Sequence, residues 1–247
     1  MIEPTKGVPG QLAFDFPQCP SFADTDFLIA PCNADAVAWI DRWPEWPSPA
    51  LALVGPAGSG KTHLGTIFAA RAGAVAIAPQ ALATLDPIAA LGDARAAVID
   101  DAEGVVADRV AAEGLFHLYN RVSAVAGRLL LTGRAAPARW RVVLPDLASR
   151  LATATVAEIA APDDALLAAI LTKLFADRQL RPSVDVIRYI LARAERSPAA
   201  LARLVAELDR RALAGGRAVS VALAADTLRD VGAAQLELGT ESDAERI

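Results

Sequence analysis

The chain has 247 residues, enough for one large domain or a medium domain plus a small one, and enough to bury a core without metal or disulfide staples. Hydrophobic residues make up 54% and charged residues 21%, which excludes a disordered chain. With 24 basic against 29 acidic side chains the net charge is −5, which argues against DNA binding through a broad basic surface.

Residues 1–22 carry Pro4, Pro9, Pro17 and Pro20 with Gly7 and Gly10, and read as a flexible arm. No basic segment followed by an apolar run opens the chain, so no signal peptide is expected. Cys19 and Cys32 are its only cysteines and are expected as free thiols. The spacing predicts a helix from Cys32 to Trp43, ended by Pro44, Pro47 and Pro49. Leu51 to Val54 is an apolar run that predicts a buried strand, and Lys61 to Ala72 a helix closed by Gly73. Strands follow at Ala74–Ala78 and Ala96–Ile99, a helix over Val105–Ala126, and strands at Leu129–Leu131 and Thr155–Ile159. Five strands alternating with helices predict a parallel sheet covered on both faces.

After Pro162 the strand signal stops. Asp163–Asp177, Val184–Ala194, Pro198–Leu213 and Val221–Asp230 predict helices, with Asp163, Ser183, Ser197 and Ser220 as caps. The expected organisation is an arm over 1–22, an α/β domain over 23–161, a helical domain over 162–233 and a tail over 234–247. The uncharged stretches Trp46–Gly60 and Ala72–Leu85 are short and broken by Pro or Gly, so a soluble, cytoplasmic chain with no membrane partner is expected. Trp39, Trp43, Trp46 and Trp140 are expected as core or interface anchors.

Gly55-Pro56-Ala57-Gly58-Ser59-Gly60-Lys61-Thr62 fits G-x-x-x-x-G-K-[ST] between a strand and a helix. Glycines let backbone N–H groups converge on a phosphate, and the helix N-terminus adds partial positive charge. Lysine occurs only at Lys6, Lys61 and Lys173, which makes the lysine in this loop stand out. Lys61 would reach the β- and γ-phosphates, and the Thr62 hydroxyl would ligate Mg²⁺. Ala96 to Ile99 ends in Asp100 and Asp101, an apolar strand delivering carboxylates beside the loop. Asp100 is the second candidate for Mg²⁺, and Asp101 for orienting a water.

These residues resemble AAA+ proteins, and within them the DnaA initiator group. Gly58 to Leu64 resembles that group's phosphate loop. Leu115 to Asn120, followed by Leu129-Leu130-Leu131-Thr132-Gly133, resembles its helix and sensor 1 strand. Leu144 to Leu151 resembles the segment that carries its arginine finger, which falls on Arg150. The similarity covers roughly residues 20–232. A DnaA initiator would continue into a helix-turn-helix domain, for which no room is expected here. A short chain of this kind is similar to the Hda family, which inactivates DnaA. That family carries an N-terminal sliding-clamp motif, and Gln11-Leu12-Ala13-Phe14-Asp15-Phe16 stands in its place. Gln11 would hydrogen-bond at the pocket rim, with Leu12, Phe14 and Phe16 as apolar anchors.

The resemblance implies an AAA+ P-loop domain with a five-stranded parallel sheet, followed by a small all-α lid. It implies an ADP or ATP site at Gly55–His63 with Leu28 and Asn33 against the base, and Mg²⁺ at Thr62 and Asp100. Its partners would be the sliding clamp and DnaA, with DNA met mainly through the clamp. Self-association remains open, including through Gln11–Phe16. The implied activity is stimulation of DnaA's ATP hydrolysis by Arg150 in trans, blocking re-initiation, with little turnover by the chain itself. Two positions depart from the pattern. Arg134 replaces an acidic residue after sensor 1, and Ala199 stands where a lid arginine is usual, with Arg196 and Arg203 nearby as substitutes. Nucleotide binding would couple to the angle between the domains through a hinge near Ala160–Pro162. The alternatives are an autonomous ATPase such as a helicase loader and, less in keeping with the helical domain, a small-molecule kinase.

Overall fold

A computed structural model describes residues 27–231. Gln11, Leu12, Phe14, Phe16 and Cys19, and the expected arm and C-terminal tail, lie outside the described residues. The order of elements is α1 (Ala34–Asp41), β1 (Ala50–Val54), α2 (Lys61–Ala72), β2 (Val75–Ala76), α3 (Pro87–Leu91), β3 (Ala96–Ile99), α4 (Ala102–Val105), α5 (Arg109–Ala124), β4 (Arg128–Gly133), α6 (Pro145–Leu151) and β5 (Thr155–Glu158). Then come α7 (Asp164–Asp177), α8 (Val184–Leu191), α9 (Pro198–Gly215) and a helix α10 over residues 221–231.

The five strands form one sheet in the order β2-β3-β4-β1-β5, every pairing parallel. Side chains alternate between faces along each strand. Ala50, Ile99, Leu129 and Leu131 point into a core with α5 and α6 residues such as Leu115, Leu118 and Leu147. Leu51, Leu53, Val98 and Leu130 point the other way, onto α1 and α2 through Ile40, Leu64 and Phe68. The helices after β5 surround a third core of Leu167, Leu171, Phe175, Val186, Ile190 and Leu208. Among the described residues no helix is long and apolar enough to cross a membrane.

Several boundaries differ from the sequence reading. The first helix begins at Ala34, because Cys32 and Asn33 form the turn that enters it. Burial, then the charge of Asp163, pushes the Cys32 thiol up. β2 is limited to Val75 and Ala76. The helix expected over Val105–Ala126 is interrupted at 106–108, where Asp108 caps α5 by accepting from the Ala111 N–H at 2.8 Å. Residues 79–84 form a 3-10 turn, and α3 and α6, each with proline at its start, were not anticipated. Asp163, Ser197 and Ser220 accept bonds from the N–H groups of Leu166, Ala200 and Leu223. Ser183 occupies the cap position of α8 without a side-chain cap bond. Trp46 and Trp140 are buried, their indole N–H groups donating to the Trp39 and Ala135 carbonyls, each at 2.7 Å.

The 3-10 turn lies so close to α5 that a Cβ added at Gly114 would fall 1.9 Å from the Leu82 carbonyl oxygen. Backbone cannot yield as a flexible side chain can. Gly114→Ala is therefore expected to destabilise the fold by about 1–3 kcal/mol or more. Equilibrium urea unfolding measures this, and an unchanged midpoint would contradict the packing described.

Candidate functional site

β1, β3 and β4 lie side by side and parallel, so their C-terminal ends meet along one sheet edge. The loop Gly55–Gly60 leaves β1 at that edge and runs into α2. Gly58 and Gly60 have φ of 74° and 100°, which residues with a Cβ rarely adopt. Gly55 is needed for a different reason: an added Cβ would sit 2.1 Å from the Ile159 carbonyl oxygen.

Lys61 turns back over the loop and donates to the carbonyls of Gly55 at 2.8 Å and Pro56 at 2.7 Å. Burial pushes its pKa down, Asp100, Asp101 and Glu103 oppose that shift, and Arg134 adds to it. The Thr62 hydroxyl donates to Asp100 Oδ2 at 2.8 Å. The other oxygen of Asp100 accepts from the Thr132 hydroxyl at 2.6 Å. Thr132 in turn accepts from the Asp101 N–H at 2.8 Å. One carboxylate thus ties the start of α2 to the ends of β3 and β4. Asp101 has φ of 53°, an unusual conformation for a residue with a side chain. Glu103 Oε2 accepts from the N–H groups of Arg134 and Ala135 at 2.6 and 3.1 Å, holding the chain that leaves β4.

A cleft of about 440 Å³ runs between this loop and the helices after β5. Gly58 to His63, Leu28 and Asn33 line it from the α/β side. Gly55, Pro56 and Ala57 are not part of its wall; Gly55 and Pro56 act on it through the carbonyls that hold Lys61. Asn33 is 3% exposed, and its polar atoms are used locally. Its Oδ1 accepts from the Ala30 N–H at 2.8 Å and its Nδ2 donates to the Leu28 carbonyl at 3.0 Å, so it shapes the wall that Leu28 presents. His63 meets the Phe27 ring edge to face, with centroids 5.6 Å apart.

Sequence reasoning missed most of the opposite wall: Pro162, Leu166, Ile170, Lys173 and Ala202. Ala199, singled out by its spacing, does line the cleft. Arg196 and Arg203 do not; they pair with Asp164 at 2.5 Å and Glu195 at 4.0 Å. The two walls touch closely, since a Cβ on Gly58 would lie 2.4 Å from the Cβ of Ser197. Thr132 was also missed as a site residue, although a polar residue ending an apolar strand was its visible signal. Arg150 lies away from the cleft on α6, its guanidinium carbon 5.1 Å and 5.6 Å from the ring centres of Phe116 and Tyr119.

The loop suits an anionic group. Besides its glycines and Lys61, it holds the Ser59 hydroxyl buried without a hydrogen-bond partner. Among the described residues no group of three or more His, Cys, Asp or Glu side chains could hold a metal ion. A divalent cation at Thr62 and Asp100 would therefore depend on ligand oxygens as well, as is usual for Mg²⁺.

Thr132→Val removes both the donor to Asp100 and the acceptor for the Asp101 N–H. Leaving such groups unpaired should cost about 1–3 kcal/mol of stability in urea unfolding. A loss under roughly 0.5 kcal/mol, the scale of an ordinary surface change, would contradict a linking role.

No protein-family model matches the chain. Among solved structures it is similar to domain III of the Thermotoga maritima replication initiation protein DnaA, with a TM-score of 0.74 at 18% identity, covering 87% of this chain and 98% of that one. AMPPCP-bound DnaA from Aquifex aeolicus superposes with a TM-score of 0.61 at 18% identity over 76% of this chain, which spans 65% of that longer chain. The FIGL-1 AAA domain in complex with ADP gives 0.58 at 21% identity, covering 87% of this chain and 85% of that one. The strand order, the loop from β1 into α2 and these superpositions together show that the chain has the AAA+ P-loop fold, laid out as in DnaA.

Proposed function

We propose that this protein is an adenine-nucleotide-binding AAA+ regulator of replication initiation. The observation that carries the nucleotide part is the cleft between the phosphate-type loop and α7 and α9. Its triphosphate end would lie on Gly58–Thr62, where backbone N–H groups and Lys61 meet phosphate oxygens. The apolar wall of Leu28, Pro162, Leu166 and Ile170 fits a planar base. Thr62 and Asp100 would hold Mg²⁺, which would neutralise charge between the phosphates. Similar folds described as bound to AMPPCP and to ADP support the ligand class. The reading takes in ADP and ATP alike.

The regulatory part rests on Arg150. An arginine that is always charged offers planar donors to phosphate oxygens. Here the guanidinium sits over two aromatic faces and makes no ion pair with a described residue. Cation–π contacts of this kind are worth about 0.5–1 kcal/mol at exposed sites. They orient the side chain while leaving its donors available to a partner. In this reading Arg150 enters the ATP site of DnaA and promotes hydrolysis there, and Gln11, Leu12, Phe14 and Phe16 dock the chain on the DNA-loaded sliding clamp. The docking element rests on the sequence alone.

The test is DnaA's ATP hydrolysis measured with clamp-loaded DNA. The natural chain should accelerate it. Arg150→Ala should lose the effect by about 10³-fold or more, and Gln11→Ala/Leu12→Ala should lose the dependence on the clamp. Full stimulation by Arg150→Ala would contradict the finger. Steady-state ATP turnover by the chain alone, abolished by Lys61→Ala, would favour the autonomous ATPase reading.

A further inference from the structure

The polar groups that line the cleft divide by what they can bind. Gly58–Thr62 suit an anion, with Lys61 as their cation. Asn33 uses its polar atoms on Ala30 and Leu28, and His63 lies against the Phe27 ring. Among the described residues one carboxylate lines the cleft, that of Asp177 in the last turn of α7. A carboxylate accepts hydrogen bonds and repels phosphate, so it suits a neutral, donor-bearing part of a ligand.

Asp177 shares a helix face with the apolar wall, since Leu166, Ile170, Leu174 and Asp177 follow one another at intervals of three or four residues. It lies about 10 Å along the helix beyond Ile170. Side chains on a helix lean back toward its N-terminus. Accordingly, Asp177 Oδ2 accepts from the Lys173 ammonium, one turn back, at 2.7 Å. Oδ1 makes no hydrogen bond with a described residue, and the side chain is 48% exposed on the open side of the cleft. Helix stability does not account for an acid here. A negative charge in the last turn opposes the helix dipole, and lysine four residues before the acid is the weaker order for such a pair. The last turn of α7 contains no basic residue to offset it.

We propose that Asp177 accepts the ribose hydroxyls of the bound nucleotide, so that the cleft prefers a ribonucleotide over the deoxyribonucleotide of the same base and charge. The inference rests on the nucleotide-binding reading above. With the base against Leu166 and Ile170 and the phosphates on Gly58–Thr62, the sugar hydroxyls are the donors left at the cleft mouth. A carboxylate on a ribose 2′-hydroxyl is a pairing that nucleotide sites use elsewhere. Lys173 holds one oxygen and thereby orients the other.

The test is calorimetric titration of the full chain with the Mg²⁺ complexes of ADP, 2′-deoxyADP and IDP. The natural chain should bind ADP about tenfold more tightly than 2′-deoxyADP, the scale of one hydrogen bond to a charged group. Asp177→Ala should weaken ADP to the level of 2′-deoxyADP and leave 2′-deoxyADP within about twofold. Its thermal unfolding midpoint should not fall, since the helix loses an unfavourable charge. Asp185→Ala, which removes an exposed acid of α8 paired with Arg188, should leave the preference intact. Equal binding of ADP and 2′-deoxyADP by the natural chain would overturn the proposal, as would equal weakening of both in Asp177→Ala. A preference for ADP over IDP that vanishes in Asp177→Ala would assign the carboxylate to the base amino group instead, and also overturn it. If the natural chain binds none of the three, the nucleotide reading fails and this inference with it. Tight ADP binding unaffected by Asp177→Ala confines the failure to this inference.

Discussion

Asp100 is the point at which sheet, loop and helix become one site. A parallel sheet brings strand ends together but does not fix the side chains that project beyond them. Here one oxygen of Asp100 meets Thr62 at the start of α2, and the other meets Thr132 near the end of β4. Thr132 closes the arrangement by accepting from the N–H of Asp101. Hydrogen bonds to a carboxylate, as the two at Asp100 are, can be roughly twice as strong as neutral ones. They hold the Thr62 hydroxyl and the carboxylate side by side, 2.8 Å apart. They also explain why Thr132 is 2% exposed without leaving an unpaired hydroxyl.

The second constraint is the seam between the loop and the helical wall. Gly58 faces Ser197, the cap of α9, at a distance that leaves no room for a side chain. The loop therefore cannot rearrange without disturbing the start of that helix. The cleft is lined by Gly58–Thr62 on one side, and on the other by α7 from Leu166 to Asp177 and the start of α9. A nucleotide bridging the two walls would couple occupancy to the position of the helical wall, a hinge-type arrangement. On the opposite side of the sheet core, Arg150 is oriented by α5 aromatics and turned away from the chain's own cleft. The molecule thus has one face suited to holding a nucleotide and another on which Arg150 lies over the Phe116 and Tyr119 rings.

Much of this was legible because it is local. The loop Gly55–Thr62 carries its own strand–turn–helix grammar, and α2 and β3 fall on the residues that their patterns predict. Parallel pairing followed from alternating strands and helices. What the sequence hid depends on distant partners. Thr132 becomes a site residue only because Asp100, 32 positions earlier, lies opposite it. Leu166 and Ile170 read as one more apolar helix face until the fold turns α7 toward the loop. The break between α4 and α5 was masked because apolar periodicity runs through it, while the cap at Asp108 is a single side chain. Asn33 was expected against a base, and its polar atoms instead hold the turn that positions Leu28.

The central claim is that a nucleotide joins the phosphate-type loop to the helical wall. Hydrogen–deuterium exchange with and without Mg²⁺–ADP tests it most directly. The account predicts slowed exchange in two separate segments at once, residues 59–64 and residues 199–203. Protection confined to one segment, or none in either, would contradict it.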